Sequence, residues 1–500
     1  MKKLFQTSFS LILLVIISLV FYYQRYDHNF VAVKRHTNNL TFPYPLNTIN
    51  FNETSSSSSP IHSSANAKPT DIGISTEACN DVIKKYNISM NSFVLGLSYW
   101  EQLTMATTNL CSLTAFSRHW HARTVEPFTR NAEMWGLPST AHYPVFHGMP
   151  PIYKGGPAKP LDSLFNMTLF NSHMLCSQYN IPPLADFEEF MLNANRSIRL
   201  LHFNFNAYGK QIPTAKEFSD DNHYINCLGH SYFKDFSSRL LSYLNAEASE
   251  RSLPSFTVDA ACCVNHRHLT TPEEMASKCG FQDLESLTVV IPIWRGYSEL
   301  PTKKFRLVVP EDSPVLHRPV SSDISYPLNN GLLSNVTAYS HEISEGKDFI
   351  GVHIRTAKLG MLDYVSRKKL STKCFDMTWE LISKLQKEFP ELPIKYFVDF
   401  GTYGSHSSEI GLGKRVSKRQ FARRKINHIH YDPEKHGGWT DQGFVALVEQ
   451  SAISNAKVLV MVGGGSFQDQ ILTRFKDRGT GKSGYAICWT KDSLFVKKVV

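Results

Sequence analysis

The sequence lacks the residue pairs that most often mark a metal site. It contains no C-x-x-C pair and no D-x-D triplet, so neither a zinc site nor a divalent ion held by paired acids has support. Three histidine pairs occur without a matching set of acidic or thiolate side chains, and surface imidazoles explain them more simply: His119/His121, His266/His268 and His428/His430. We therefore expect no metal ion and no cofactor.

Strong charge of either sign is also absent. The formal net charge is +9 over 500 residues, which suits an anionic nucleotide or glycan but does not by itself indicate nucleic acid. One basic cluster comprises Lys414, Arg415, Lys418, Arg419, Arg423, Arg424 and Lys425. It could bind an acidic acceptor or a membrane surface, although a solvated helix face explains it more simply.

The N-terminus predicts entry into the secretory pathway. Lys2 and Lys3 precede an uncharged run at residues 4–23, and about twenty such residues cross a bilayer core. We expect a single-pass type II signal anchor in the Golgi membrane, with residues 1–3 in the cytoplasm and no nucleic-acid partner. The endoplasmic reticulum and a cleaved signal peptide are the alternatives. Residues 24–76, rich in Asn, Ser, Thr and Pro, are expected to form a disordered stem.

Sequons and cysteines are consistent with an oxidising lumen. N-x-[ST] sequons begin at Asn39, Asn52, Asn87, Asn166, Asn195 and Asn335. In such a compartment several of the nine cysteines should form disulfides, and an odd count leaves at least one unpaired or intermolecular. The adjacent Cys262 and Cys263 should reach different partners, while the remaining pairing stays open.

From residue 77 onward, strand-like and helical segments alternate. In the C-terminal half, strands are predicted at 349–354, 394–400, 426–431, 457–462 and 485–489, and helices at 374–388, at 441–455 and after 466. The N-terminal half opens with a strand at 93–97, a helix at 101–120 and a strand at 124–128. Such alternation predicts parallel, doubly wound α/β sheets, and the length favours two domains, at 77–340 and 341–500.

Two apolar runs end in residues suited to an anion. Phe349 to Ile354 stop at Arg355, and the carboxyl ends of buried parallel strands open onto a ligand crevice. Lys457 to Val462 lead into Gly463-Gly464-Gly465-Ser466 and a helix, where glycines allow close backbone approach and the first N–H groups favour negative charge. The pair predicts a ligand with a diphosphate, clasped by the planar fork of Arg355. A buried ion pair and a plain tight turn are the alternatives.

A second glycine-rich segment does not add a phosphate site. Residues 479–483, GTGKS, mimic part of a Walker A loop. However, Lys476 stands where the first glycine belongs, and a strand rather than a helix is expected to follow. We reject this motif.

Three blocks together resemble the GDP-fucose fucosyltransferase superfamily, which includes the protein O-fucosyltransferases and α1,6-fucosyltransferases. They are SYWEQLTMATTNLCSLTAFSRHWHARTVEPF at 98–128, GVHIR at 351–355 and GGGSF at 463–467, in the order of the family. The resemblance implies a GT-B architecture, with two Rossmann-like domains facing across a cleft. It also implies inverting, metal-independent transfer of fucose from GDP-fucose to a protein or glycan hydroxyl. The missing D-x-D triplet likewise disfavours the metal-dependent GT-A transferases.

The resemblance and the residue chemistry together assign candidate roles. Arg355 would stabilise charge growing on the diphosphate, and Glu101 is the candidate base, although an acid in a first helical turn is also favoured by the dipole alone. Donor contacts are expected from His353, Arg355, Lys358, Asp399, Gly464, Gly465, Ser466 and Phe467. Gln102 and Asn109 are expected to contact donor or acceptor. Each of three residues has an alternative role. His353 could be a scaffold histidine, Asp399 could cap a turn, and Asn109 could face solvent.

The sequence also departs from the family. Tyr99-Trp100-Glu101-Gln102 stands where O-fucosyltransferases carry a glycine-rich loop, and Thr356-Ala357-Lys358 replaces the second arginine and acid that follow the first arginine in some relatives. Two alternatives therefore stay open. One is a GT-B transferase that uses another nucleotide sugar, and the other is a lumenal pseudoenzyme that binds glycans without turning them over.

Overall fold

The structure is a computed structural model that describes residues 72–99, 103–138, 158–204, 223–265, 272–281, 285–294, 325–366, 370–398, 408–479, 481–488 and 496–500. All of these fall within one compact unit, residues 69–500. Among the described residues, no helix is long and apolar enough to span a bilayer. The predicted anchor at 4–23 and nearly all of the predicted stem lie outside the described residues.

A six-stranded sheet organises the N-terminal half. Its strand order is β3-β1-β10-β7-β9-β8, parallel except at the edge strand β8. The strands are β1 Phe93–Gly96, β3 Arg123–Thr124, β7 Ser197–Asn204, β8 Tyr224–Asn226, β9 Thr257–Asn265 and β10 Thr288–Ile291. The central strands β1 and β10 are buried along their whole length, which explains why they read as continuous apolar runs.

The N-terminal half also contains a small antiparallel sheet, with the strand order β2-β5-β4-β6. Its strands are β2 Ser98–Tyr99, β4 Phe128–Arg130, β5 Glu133–Trp135 and β6 Lys159–Pro160. The single strand predicted at 124–128 is therefore wrong, because β3 ends at Thr124 in one sheet and β4 begins at Phe128 in another. Pro127, which lacks an N–H group, separates the two strands and cannot continue a ladder.

A five-stranded sheet organises the C-terminal half, in the order β12-β11-β13-β14-β15, parallel except at β15. Its strands are β11 Ile350–Ile354, β12 Ile394–Val398, β13 Val458–Val462, β14 Ser483–Ile487 and β15 Val496–Lys498. The strand predicted at 426–431 is wrong: this segment makes an isolated bridge from Ile429 to Phe397. The parallel doubly wound pattern predicted for both halves is otherwise present in these sheets, and a strand does follow the rejected Walker-like segment.

Helices cover both parallel sheets. They are α1 Ile72–Lys85, α2 Leu103–Ser117, α3 Met167–Leu169, α4 Phe187–Asn193, α5 Ser231–Glu250, α6 Pro272–Lys278, α7 Asn330–Ser344, α8 Thr356–Ser366, α9 Leu370–Glu388, α10 Ser408–Arg424, α11 Pro433–His436, α12 Gln442–Ile453 and α13 Ser466–Asp477. The segment Phe170–Gln178 continues α3 as a π-helix, and Arg118–Trp120 and Leu161–Ser163 are 3₁₀ turns. The predicted domain boundary at 340/341 lies within α7.

Four disulfides join eight of the nine cysteines: Cys79–Cys176, Cys227–Cys263, Cys262–Cys279 and Cys374–Cys488. The expectation that Cys262 and Cys263 reach different partners is confirmed. Cys111 is free and buried in α2, which agrees with the odd count. Burial raises the pKa of its thiol, so this cysteine is held as the neutral thiol.

The asparagine side chains of the described sequons make different hydrogen bonds. Asn166 caps α3 and accepts from the N–H of Leu169, while Asn195 accepts from the N–H of Ser197. The Asn335 side chain is engaged at both ends within α7, because its Nδ2 donates to the Gly331 carbonyl and its Oδ1 accepts from the Tyr431 hydroxyl. Asn39 and Asn52 lie outside the described residues. Glycosylation at these sites stays a prediction.

Helix α10 carries the basic cluster on its exposed face and packs its opposite face against α8. Arg415, Lys418 and Arg419 are exposed, which agrees with a solvated helix face. On the packed side, Gly413 allows close contact, since a Cβ there would overlap the Thr356 carbonyl oxygen and lie 2.7 Å from the Gly360 nitrogen. The two helices can approach this closely only without a side chain at 413.

Gly413→Ala should therefore lower the free energy of unfolding by about 1–3 kcal/mol, although alanine is normally better in a helix by about 1 kcal/mol. Gly331→Ala is the matched control, because its Cβ would meet only the Asn329 Oδ1, at 3.6 Å, and it should be neutral or stabilising. Urea unfolding of both variants measures the difference. Equal stability of the two variants would contradict the packing described.

Candidate anion site in the cleft

Two adjacent strands of the C-terminal sheet end side by side. Strands β11 and β13 pair in parallel and in register, so Ile354 lies opposite Val462. The N–H of Arg355 then donates to the Val462 carbonyl, at 2.9 Å, and its Nη1 reaches the Gly464 carbonyl at 3.5 Å. The structure thus brings together Arg355 and the glycine turn, which are about 110 residues apart in the sequence, as the strand pattern predicts.

The glycine turn has backbone angles that other residues rarely adopt. Gly463, Gly464 and Gly465 have φ values of 106°, 65° and 109°. Helix α13 begins directly afterwards at Ser466, and no side chain caps its N-terminus. The free N–H groups of its first turn and the positive end of its dipole are therefore available to an anion.

Arg355 and Lys358 lie directly against this turn. A Cβ at Gly465 would overlap the Arg355 Nη1 and approach the Lys358 Cε to 3.3 Å, and one at Gly463 would lie 3.5 Å from the Lys358 Cβ. Both side chains are half-buried. Two cationic side chains and a helix N-terminus thus converge on one turn, an arrangement that attracts a phosphate or diphosphate.

His353 is part of the support under the site. It is 5% exposed, and its ring stacks on Phe467 with the ring centroids 5.1 Å apart. The Gln468 Nε2 donates to the carbonyls of His353 and Val462 and lies 2.9 Å from the His353 Nδ1. Because those two carbonyls fix the amide nitrogen in place, Nδ1 accepts from it, and the ring proton resides on Nε2. Burial, reinforced by the charge of Arg355, lowers the pKa of His353 to about 3.

Asp469 contributes a carboxyl group to the first turn of α13. Burial raises its pKa, while the charge of Arg355 acts in the opposite direction. The sequence alone did not single out Asp469, since an acid in a first helical turn is common. Its electrostatic coupling to Arg355 becomes visible only once strand pairing has placed the two together.

A cleft opens beside the site. It is lined by Leu103, Thr104, Met105, Ala132, Arg355, Ala446, Leu447, Gln450, Ser466 and Phe467. The lining combines the first turn of α2 with Arg355 and with the start of α13. Residues from all three sequence blocks that resembled fucosyltransferases therefore face one cavity. Gln450 was not predicted, and no local sequence signal marks it.

The remaining predicted site residues fall into two groups. Asn109 lies in α2 and is 3% exposed, so a solvent-facing position is wrong. Glu101, Gln102 and Asp399 lie outside the described residues, although Glu101 and Gln102 immediately precede the cleft-lining Leu103. Within the described part of the chain, no group of three or more His, Cys, Asp and Glu residues is arranged to hold a metal ion.

Comparison with known proteins gives a remote likeness in three dimensions only. No family model and no curated protein sequence matches the chain. POFUT1 in complex with GDP-fucose is 8% identical, with a TM-score of 0.42, over 80% of this chain and 99% of POFUT1. NodZ α-1,6-fucosyltransferase soaked with GDP-fucose is 9% identical, with a TM-score of 0.32, over 82% of this chain and 99% of NodZ.

A mutant of Arabidopsis thaliana FUT1 in complex with GDP is 10% identical, with a TM-score of 0.31, over 83% of this chain and 74% of FUT1. Similarity this remote assigns neither a substrate nor a site residue to the chain. The roles given to individual residues therefore stay predictions.

Gly465→Ala should weaken binding of inorganic pyrophosphate by about tenfold or more, because the new methyl group displaces the Arg355 guanidinium. Gly479→Ala is the matched control: its φ of 108° imposes similar backbone strain, of about 1–3 kcal/mol, but nothing lies within 4 Å of the added Cβ. Isothermal titration compares the two, with thermal unfolding as the check on folding. Equal affinities would show that the turn does not shape the anion site.

The low pKa of His353 makes stability depend on pH in a defined direction. An unfolded histidine takes up its proton near pH 6.5, whereas His353 in the folded protein does so only near pH 3. Between these values the unfolded state binds more protons than the folded state. The contribution of His353 to the free energy of unfolding therefore falls as the pH drops from about 6.5 toward 3.

Denaturant unfolding at pH 7 and pH 5 should therefore show a smaller pH-dependent loss in His353→Asn than in the unchanged protein. Phe467→Leu removes the stacked ring without removing a titrating group, so it should lower stability similarly at both pH values. A His353 imidazole resonance that titrates between pH 5 and 7 would contradict the buried, neutral assignment.

Proposed function

We propose that the protein is a glycosyltransferase of the secretory pathway that transfers fucose from GDP-fucose to a hydroxyl of a protein or glycan, without a metal ion. The observation that carries the proposal is the convergence of α2, Arg355 and the glycine turn on one cleft. The cationic cradle formed by Arg355, Lys358 and the start of α13 lies beside this cleft, and this arrangement fits a diphosphate-linked substrate. The choice of GDP-fucose rests on the three sequence blocks.

The proposed reaction requires one displacement at the anomeric carbon of fucose. The acceptor oxygen bonds to that carbon while the bond from the carbon to the diphosphate oxygen breaks, and the electron pair leaves with GDP. Negative charge grows on the diphosphate as this happens. In this proposal Arg355, Lys358 and the N–H groups at the start of α13 stabilise that charge, and their closeness to the glycine turn supports this role. The configuration at the anomeric carbon inverts.

The acceptor proton needs a base. Glu101 is our candidate, because it precedes the cleft-lining Leu103 by two residues. The buried, neutral His353 is not suited to this role, since its Nδ1 is occupied by Gln468. In this proposal His353 instead supports Phe467, while Asp399 and Gln102 remain proposed donor or acceptor contacts.

The cellular location forms part of the same proposal. Four disulfides within the described residues support an oxidising compartment. We propose attachment to the Golgi membrane through residues 4–23, with the catalytic region in the lumen. The acceptor is proposed as a class, a hydroxyl-bearing protein or glycan.

The first test is ligand-induced thermal stabilisation by GDP, UDP and CMP and by their sugars; POFUT1 and NodZ were solved with GDP-fucose, which makes it the first donor to test. We expect GDP and GDP-fucose to stabilise the protein. Arg355→Ala should weaken GDP binding by about ten- to hundredfold, because it removes charge-assisted hydrogen bonds, whereas Arg419→Ala on the exposed face of α10 should not.

Transfer itself is tested by release of GDP in the presence of candidate glycan and protein acceptors. Glu101→Gln should keep GDP binding and lose turnover if Glu101 is the base. A preference for UDP would overturn the choice of donor. A folded protein that responds to no nucleotide would overturn the transferase proposal.

A further inference from the structure

Gln450 lines the cleft and carries a hydrogen-bond acceptor that has no partner among the described residues. It lies in the third turn of α12 and is 1% exposed. Its Nε2 donates to the Thr104 hydroxyl at 3.3 Å and to the Phe467 carbonyl at 3.4 Å. A carbonyl oxygen can only accept, so the Phe467 contact fixes which end of the amide is the nitrogen.

The other end of the amide is buried without a partner. Among the described residues, nothing donates a hydrogen bond to the Gln450 Oε1. Most buried side-chain oxygens are satisfied, and an unsatisfied one destabilises the fold by about 1–3 kcal/mol. An acceptor without a partner, on a cleft-lining side chain that is held at its other end, is an expected feature of a ligand-binding position.

The remaining polar groups of the cleft show what kind of ligand group this acceptor suits. Besides Gln450, the polar side chains that line the cleft are Thr104, Arg355 and Ser466. Arg355 and the N–H groups of α13 only donate, and they match the phosphate oxygens, which only accept. A sugar hydroxyl can donate as well. Gln450 thus supplies the complementary acceptor beside the diphosphate cradle.

We propose that the Gln450 Oε1 accepts a hydrogen bond from a hydroxyl of the sugar carried by the nucleotide diphosphate, and so orients that sugar in the cleft. This inference rests on the proposed function and adds a residue that discriminates the sugar, a task that the diphosphate cradle cannot perform. The same amide joins the first turn of α2 to the first turn of α13 through Thr104 and Phe467. The acceptor is therefore held in place before the ligand arrives.

Gln450→Met tests the inference, because methionine keeps the length and burial of the side chain but lacks a strong acceptor. We expect the affinity for GDP-fucose to fall about three- to tenfold, the effect of one neutral hydrogen bond, while the affinity for GDP is unchanged. Isothermal titration with both ligands measures this. An equal loss for GDP and GDP-fucose would mean that Gln450 acts through Phe467 or contacts the ribose, and would overturn the inference.

A second measurement uses the unchanged protein and does not depend on the variant folding. GDP-fucose analogues that each lack one sugar hydroxyl should include at least one that binds about three- to tenfold more weakly. The Gln450→Met variant should bind that analogue and GDP-fucose with equal affinity. Equal binding of all analogues by the unchanged protein, or unchanged GDP-fucose binding by the variant, would overturn the inference alone. Failure of the unchanged protein to bind GDP or GDP-fucose would overturn the proposed function, and the inference with it.

Discussion

The candidate site depends on the in-register pairing of β11 and β13. Because Ile354 lies opposite Val462, the next residue of each strand, Arg355 and Gly463, emerges at the same edge of the sheet. A slip of one residue would turn each buried side chain to the other face and separate Arg355 from the glycine turn. The continuous burial of both strands prevents such a slip, since either face would lose its packing. The core thus fixes the geometry of the anion site.

Supporting contacts beneath the site keep the positive charge where an anion would meet it. Gln468 ties β11 to α13, and burial together with the charge of Arg355 keeps His353 neutral, so the cation nearest to the strand end is Arg355 rather than an imidazolium. Gly351 allows α12 to pack on β11, since a Cβ there would lie 2.9 Å from the Ile453 side chain. The glycines therefore serve two purposes, close packing under the sheet and an exposed backbone above it.

The sequence predicts elements that are determined locally and misses those that depend on distant partners. Apolar runs predict the strands that end just before Arg355 and Gly463, and the glycines predict the turn that precedes α13. The structure shows these elements within one or two residues of the predicted bounds. The two wrong strands, at 124–128 and 426–431, contain residues with strand propensity, but the sheet contacts are incomplete there. Gln450 could not be predicted, because its partner Thr104 lies 346 residues away.

Contacts between the two halves explain why the cleft is formed without a ligand. The Asp441 carboxylate caps α12 through Gly443 and Phe444 and also accepts from the N–H of Asn131, in the turn between β4 and β5. That turn contains Ala132, whose φ of 66° is unfavourable for alanine by about 1–2 kcal/mol. Ala132 nevertheless lines the cleft, so the strain is tolerated where Asp441 fixes the turn. One carboxylate therefore holds the start of α12 and a wall from the N-terminal half together. A ligand entering the cleft meets walls that are already positioned, and little of its binding energy is needed to assemble them.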